Sequence, residues 1–156
     1  MTTSREEDYL EAILHIVDRK GYAKVGDISR HLHCSAATVT EMFGRLSEKG
    51  FVNYEKYGGV TLTEEGRRIG TEIDRRHHII KGFLEILGVG PDIADTDACQ
   101  IEHSLHPQTV DRLKGFIEFV RSSPDDLCWV TRYRTFLDTG EPDPKECPRH
   151  LDSDPS

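Results

Sequence analysis

No apolar run in this 156-residue chain approaches the ~20 residues that a membrane-spanning helix needs, so no membrane partner is expected. The opening stretch, MTTSREEDY, lacks the basic start and apolar core of a secretory signal, and a soluble cytoplasmic protein is the expectation. The four cysteines, at 34, 99, 128 and 147, contain no Cys-x-x-Cys pair. Such wide spacing is not a disulfide framework and suits a reducing compartment. There is no His-Glu-x-x-His and no internal repeat. Net positive charge is lacking too, at a formal −8. The deficit is uneven. Residues 1–70 carry 10 Lys and Arg against 11 Asp and Glu, residues 71–90 carry 3 of each, and residues 91–156 carry 7 against 14. The acidity therefore sits in the C-terminal half, and the N-terminal half is close to neutral.

What is present is helical periodicity. Ser4 with Glu7 fits a capping box, and Tyr9, Leu10, Ile13, Leu14, Ile16 and Val17 recur at helical spacing until Gly21 stops them. A second helix fits Val25 to Leu32, His33-Cys34 makes a turn, and Ser35 can cap a third helix from Ala36 to Lys49. Residues 51–55 and 59–63 read as two short strands around a Lys56-Tyr57-Gly58 turn. Thr63 then caps a long helix that runs to Leu87. Further helices fit Ile93 to Leu105, Pro107 to about Ser122 and Asp126 to Leu137. The expected fold is mostly α, an N-terminal winged helix-turn-helix followed by a helical domain. The boundaries are 1–70 for the winged helix, 71–138 for the helical domain, and 139–156 for a Pro- and Asp-rich disordered tail.

Two constellations carry chemistry. Short side chains begin the third helix: Ser35, Ala36, Thr38 and Thr40 can approach base edges closely, with hydroxyls for phosphates or bases and methyls for thymine. Arg45, and Lys56, Tyr57 and Gly58 at the strand turn, can lie along the DNA backbone. The second constellation is Asp8 with Glu11, then His77, then Cys99 with Glu102 and His103. Spacings of three and four put each set on one helical face. Plainer readings exist for each. Acids suit the first turns of a helix, a cysteine can be a packed thiol, and His77-His78 and Glu102-His103 can be solvated. In so small a domain the helices must pack together, and the donors can then converge. Oxygen and nitrogen donors suit Mn(II) or Fe(II), and a sulfur donor tilts the site towards Fe(II), Co(II) or Zn(II). Two rival functions fit the pattern. One is a winged-helix regulator responding to an organic ligand. The other is a small metallohydrolase, in which a recognition helix would be surplus.

Several segments resemble the diphtheria-toxin-repressor (DtxR/MntR) family of metal-dependent transcriptional repressors, in its short manganese-type branch. They are Glu7-Asp8-Tyr9-Leu10-Glu11, Tyr54 to Thr63 across the wing, Arg76-His77 with Phe83-Leu84, and Ile101-Glu102-His103. The likeness covers about residues 4–122 and leaves no room for the SH3-like third domain of longer members. It implies a homodimeric repressor that binds operator DNA when loaded with Mn(II) or Fe(II) and controls metal homeostasis. It also implies a metal site of Asp8, Glu11, His77, Cys99, Glu102 and His103, with His77 rather than His78 as the ligand. Cys99 stands where the manganese branch usually has Glu and the iron branch Cys, whereas Asp8 stands where the iron branch usually has Met. Lys81 and Asp95 replace residues of the iron branch's additional site.

Overall fold

The structure is a computed structural model, and it describes residues 1–122 and 128–141. It contains α1 (Ser4–Lys20), α2 (Val25–His31), α3 (Ala36–Glu48), β1 (Val52–Glu55), β2 (Gly59–Leu62), α4 (Glu64–Ile86), α5 (Pro91–Ile101), α6 (Pro107–Ser122) and α7 (Cys128–Thr139). Two compact units form. The first is Met1–His78 together with Ala98–Leu105, and the second is Ile79–Asp97 with the described residues from His106 onward.

The first unit is the winged helix-turn-helix. The N-cap of α1 is Thr3 rather than Ser4: Thr3 Oγ1 accepts from the Glu6 amide, and Glu6 accepts from the Thr3 amide. Both Thr3-x-x-Glu6 and Ser4-x-x-Glu7 fit the capping pattern, and the choice of Thr3 leaves Glu7 available for a distant partner. Gly21, at φ 86°, ends α1 in the left-handed conformation that glycine adopts without steric cost. Ser35 caps α3 by accepting from the Thr38 amide at 3.1 Å. Leu10 and Ile13 of α1, Ile28 of α2, and Val39, Phe43 and Leu46 of α3 are fully buried with Val60 of the wing. Each such side chain contributes roughly 1.5–3 kcal/mol of transfer free energy.

The wing is an antiparallel pair, registered from Val52↔Leu62 to Glu55↔Gly59. A bridge between Ala23 and Val60 adds a strand-like contact that the sequence pattern did not disclose. Thr63 caps α4, accepting from the Gly66 amide at 3.1 Å and donating to the Gly50 carbonyl at 2.8 Å. Gly66 has no substitute here, because a Cβ at that position would lie 1.9 Å from the Phe51 carbonyl oxygen.

In the second unit α5 begins at Pro91, two residues before the sequence expectation, as proline favours the first helical position. Its end is also earlier, at Ile101, so Glu102 and His103 lie in the turn that follows. Ile80, Ala94, Val110, Ile117, Val120 and Val130 are buried, and Phe116 stacks edgewise on Phe83 and Trp129. Residues 123–127, where the last helix was expected to begin, and 142–156, most of the expected tail, lie outside the described residues.

Candidate metal centre and reading face

All the donors described here belong to the first unit. α1 supplies Glu7, Asp8 and Glu11, α4 supplies His77, and the turn after α5 supplies Glu102 and His103. Glu102 is the centre. It is fully buried, and its amide still bonds to the Ala98 carbonyl at 3.0 Å, which holds the side chain at the helix end. Glu102 Oε2 lies 2.9 Å from His77 Nδ1. Glu102 Oε1 is buried and has no hydrogen-bond partner among the described residues. A buried carboxylate oxygen left unpaired costs on the order of 1–3 kcal/mol or more, so a native site that keeps one calls for a cation.

His103 is held by carboxylates at both ring nitrogens, with Nδ1 2.8 Å from Glu7 Oε2 and Nε2 2.7 Å from Asp8 Oδ1. Two acceptors require two N–H groups, so this ring is an imidazolium. The hydrogen bond to Asp8 is the main reason its pKa rises to about 9, against burial, which opposes the charge; Glu7 adds to the rise. Glu11 moves the other way in charge. Burial, then the neighbouring Glu102 carboxylate, push it up to about 7, while His15 and His77 pull it down. The centre thus carries more carboxylate than imidazole can balance.

Donor atoms converge within 4.8 Å in two groups that share Glu102: Asp8, Glu102 and His103, and Glu11, His77 and Glu102. Five of the six sequence candidates are therefore brought together. Cys99 is exposed and joins none of these groups. The sequence expectation ran this helix to Leu105, whereas α5 ends at Ile101. The donor set, oxygen and nitrogen with one orphaned buried carboxylate oxygen, fits a divalent first-row ion. Glu7 was missed by sequence reasoning, since its partner lies 96 residues away.

The reading-face candidates are also in this unit. Ser35, Ala36 and Thr40 are exposed and Thr38 is half-buried, with the Ser35 and Thr38 hydroxyls 2.8 Å apart. Lys56, Tyr57 and Gly58 form the exposed wing turn, where the Lys56 ammonium sits over the Tyr57 ring at 5.9 Å. Arg45 is half exposed, and its guanidinium lies 3.5 Å from buried Glu6, which also takes Lys49.

A winged helix-turn-helix with a carboxylate and imidazole cluster is the design of a metal-responsive DNA-binding regulator. The chain belongs to the iron-dependent repressor family. Residues 1–60 match its N-terminal DNA binding domain, and residues 63–129 match its metal binding and dimerisation domain. The transcriptional regulator MntR of Listeria innocua serovar 6a is 36% identical over 146 residues, covering 94% of this chain and 100% of the relative. MntR of Bacillus pumilus is 37% identical over 125 residues, covering 80% of this chain and 87% of the relative. The solved structure of the manganese regulator SloR superposes with a TM-score of 0.65 at 29% identity, covering 73% of this chain. The IdeR structure from T. acidophilum does so with 0.63 at 30% identity, covering 72%. The chain spans about half the length of these two solved chains, 54% and 53%. The protein is a metal-responsive transcriptional repressor of this family, acting on operator DNA as a homodimer. Among the described residues no helix is long and apolar enough to cross a membrane.

Proposed function

We propose that this repressor is a cytoplasmic sensor of Mn(II) or Fe(II), without enzymatic activity, whose ligands are Asp8, Glu11, His77, Glu102 and His103. The observation that carries the reading is the buried Glu102 carboxylate, with Oε2 2.9 Å from His77 and Oε1 without a hydrogen bond, 3.4 Å from His103. A bound ion supplies the positive charge that Glu102, Glu11 and Asp8 share. Cys99 stays outside the ligand set, which leaves hard oxygen and nitrogen donors and favours ions early in the first-row series. The manganese regulators among the relatives point the same way.

Regulation follows from where the donors sit. Asp8 and Glu11 belong to the helix that packs under α3, whereas Glu102 and His103 belong to the turn that follows α5. His103 bridges Glu7 and Asp8. A bound ion would take the place of the protons that link them, and its ligands on α1, on α4 and in the turn after α5 would tie segment 98–105 to α1. A repressor that needs this arrangement gains operator affinity, and DNA raises metal affinity by the same factor, commonly about 1–3 kcal/mol. Ser35, Ala36, Thr38 and Thr40 read bases, while Lys56, Tyr57 and Gly58 contact the backbone. The test is anaerobic binding to duplexes selected from a random-sequence pool, titrated with Mn(II), Fe(II), Co(II) and Zn(II). Stimulation by Mn(II) or Fe(II) at lower concentration than by Co(II) or Zn(II) is expected. Binding that ignores all four ions would overturn the reading.

A further inference from the structure

One more imidazole and one more carboxylate adjoin the same cluster. Glu11 and His15 are one helical turn apart on α1 and so share a face. Asp74 approaches them from α4. His15 Nε2 lies 2.7 Å from Asp74 Oδ1, and the donor atoms of Glu11, His15 and Asp74 all lie within 4.8 Å of one another. Glu11 is thus common to this group and to the Glu11, His77 and Glu102 group. We propose that Glu11, His15 and Asp74 form a further divalent-cation subsite, joined to the main centre through the Glu11 carboxylate; the inference rests on the metal-binding reading above.

Three features support it. The donor types are right, since two carboxylates and one imidazole make a facial set that leaves the remaining positions to water. Access is right, since the side chains of His15 and Asp74 are 40% and 29% exposed, whereas Glu102 is sealed. The location is right as well, since all three residues belong to the first unit, as do Glu11, His77 and Glu102 of the neighbouring group. Through Glu11 the subsite adjoins the group that contains buried Glu102. The competing explanation is an ion pair that merely ties α1 to α4. It accounts for the His15 to Asp74 contact but not for the convergence of Glu11.

Mn(II) bound per chain should be counted by equilibrium dialysis of the metal-free full-length protein, with the Mn(II) electron paramagnetic resonance spectrum as a second readout. Asp74→Asn is the main variant, because an amide oxygen still accepts from His15 and preserves the tie between helices. It and His15→Ala should each remove about one equivalent, or weaken the last equivalent roughly tenfold or more, while the tighter binding persists. Circular dichroism of the metal-free proteins confirms folding, and His15→Gln replaces any variant that fails. If Asp74→Asn and His15→Ala both bind as many ions as wild type with unchanged affinity, the pair is only a structural tie and the subsite falls. Glu102→Gln separates the two readings. Loss of tight binding there, with His15→Ala unchanged, overturns the subsite alone. Wild-type binding by Glu102→Gln overturns the main centre and the subsite with it.

Discussion

Lys49 donates to both carboxylate oxygens of Glu6, at 2.7 and 2.9 Å, although Glu6 is fully buried. Lys49 closes the reading helix, and Glu6 precedes Glu7 and Asp8, which hold His103. One turn of α1 therefore faces the candidate donor cluster on one side and the end of α3 on the other.

Glu6→Gln should destabilise the metal-free protein by about 1–3 kcal/mol in urea denaturation, less than a wholly buried pair because Lys49 can turn to solvent. Burial raises the Glu6 carboxyl, but Lys49 and the Thr3 backbone hold it below its ordinary 4.5. The unfolded chain thus takes up the proton first as pH falls. The contribution of Glu6 is complete above about pH 4.5 and is lost as the pH drops through the lowered folded value. Wild type should lose stability more steeply than Glu6→Gln on acidification below that point. Parallel curves would show that the pair contributes nothing to folding.

The metal-free protein should also weaken as pH rises. Glu11 ionises in the folded state only near pH 7, against 4.5 when exposed, so folding loses ground from pH 4.5 up to 7. His103 keeps its proton to about 9, against 6.5. The stability from its imidazolium is full below pH 6.5 and disappears as pH climbs through 9. The melting temperature of the metal-free form should therefore fall between pH 5 and 9, and Glu11→Gln should remove the lower part of that fall. Metal affinity should rise over the same range, because Mn(II) competes with these protons. A metal-free melting temperature that increases with pH contradicts both assignments.

Glu102→Gln and His77→Ala should each abolish metal-stimulated operator binding and leave far-ultraviolet circular dichroism unchanged. Glu102→Gln should change the stability of the metal-free fold little, since an amide can still meet His77. His78→Ala is the control. That side chain is exposed, joins no donor group and leans on the Asp74 carbonyl, so its loss should shift metal response little. Cys99→Ser should be equally mild. A large loss of metal affinity in Cys99→Ser would return the thiolate to the ligand set.

The boundary between what the sequence disclosed and what it hid runs through these same residues. Asp8, Glu11 and His77 sit on helices whose periodicity is continuous, so their facing sides follow from spacing alone. The end of α5 was less legible: the sequence pattern ran on to Leu105, whereas the helix ends at Ile101 and Glu102 and His103 lie in the turn that follows. His15 and Asp74 carried a local hint, since each is one turn from a ligand candidate. Their pairing spans 59 residues and no spacing rule reaches that far. The ion pair of Arg45 with Glu6 was likewise hidden, because nothing nearby in sequence announces it.

The reading face can be tested apart from metal by salt dependence. Lys56→Ala should weaken binding across sequences and lower the slope of log affinity against log salt by roughly one unit. Thr38→Val keeps the shape but loses the hydroxyl that meets Ser35, so it should change sequence preference by up to roughly 1 kcal/mol without changing the slope. Arg45→Ala should leave the slope almost untouched, because Glu6 already engages that guanidinium. If all three variants have the same slope as wild type, the wing turn is not at the backbone.

Dimerisation should not depend on metal. In the second unit Ile93, Phe119, Trp129, Phe136 and Leu137 are exposed on the single chain, and five large apolar side chains on so small a unit need cover. A second copy provides it, as the dimerisation domain of the family requires. Two-fold symmetry places each residue at the interface twice, so a charge introduced there acts twice. Phe119→Asp or Leu137→Asp would bury two unpaired carboxylates per dimer, a cost of several kcal/mol that a modest interface cannot absorb. Sedimentation of the metal-free protein at micromolar concentration should give a dimer for wild type and a monomer for at least one of these variants. The monomeric variant should still bind metal with near-wild-type affinity, since every ligand lies in the first unit, yet lose operator binding because two half-sites can no longer be held together. A wild-type monomer under these conditions would show that the apolar face is covered by something other than a second copy.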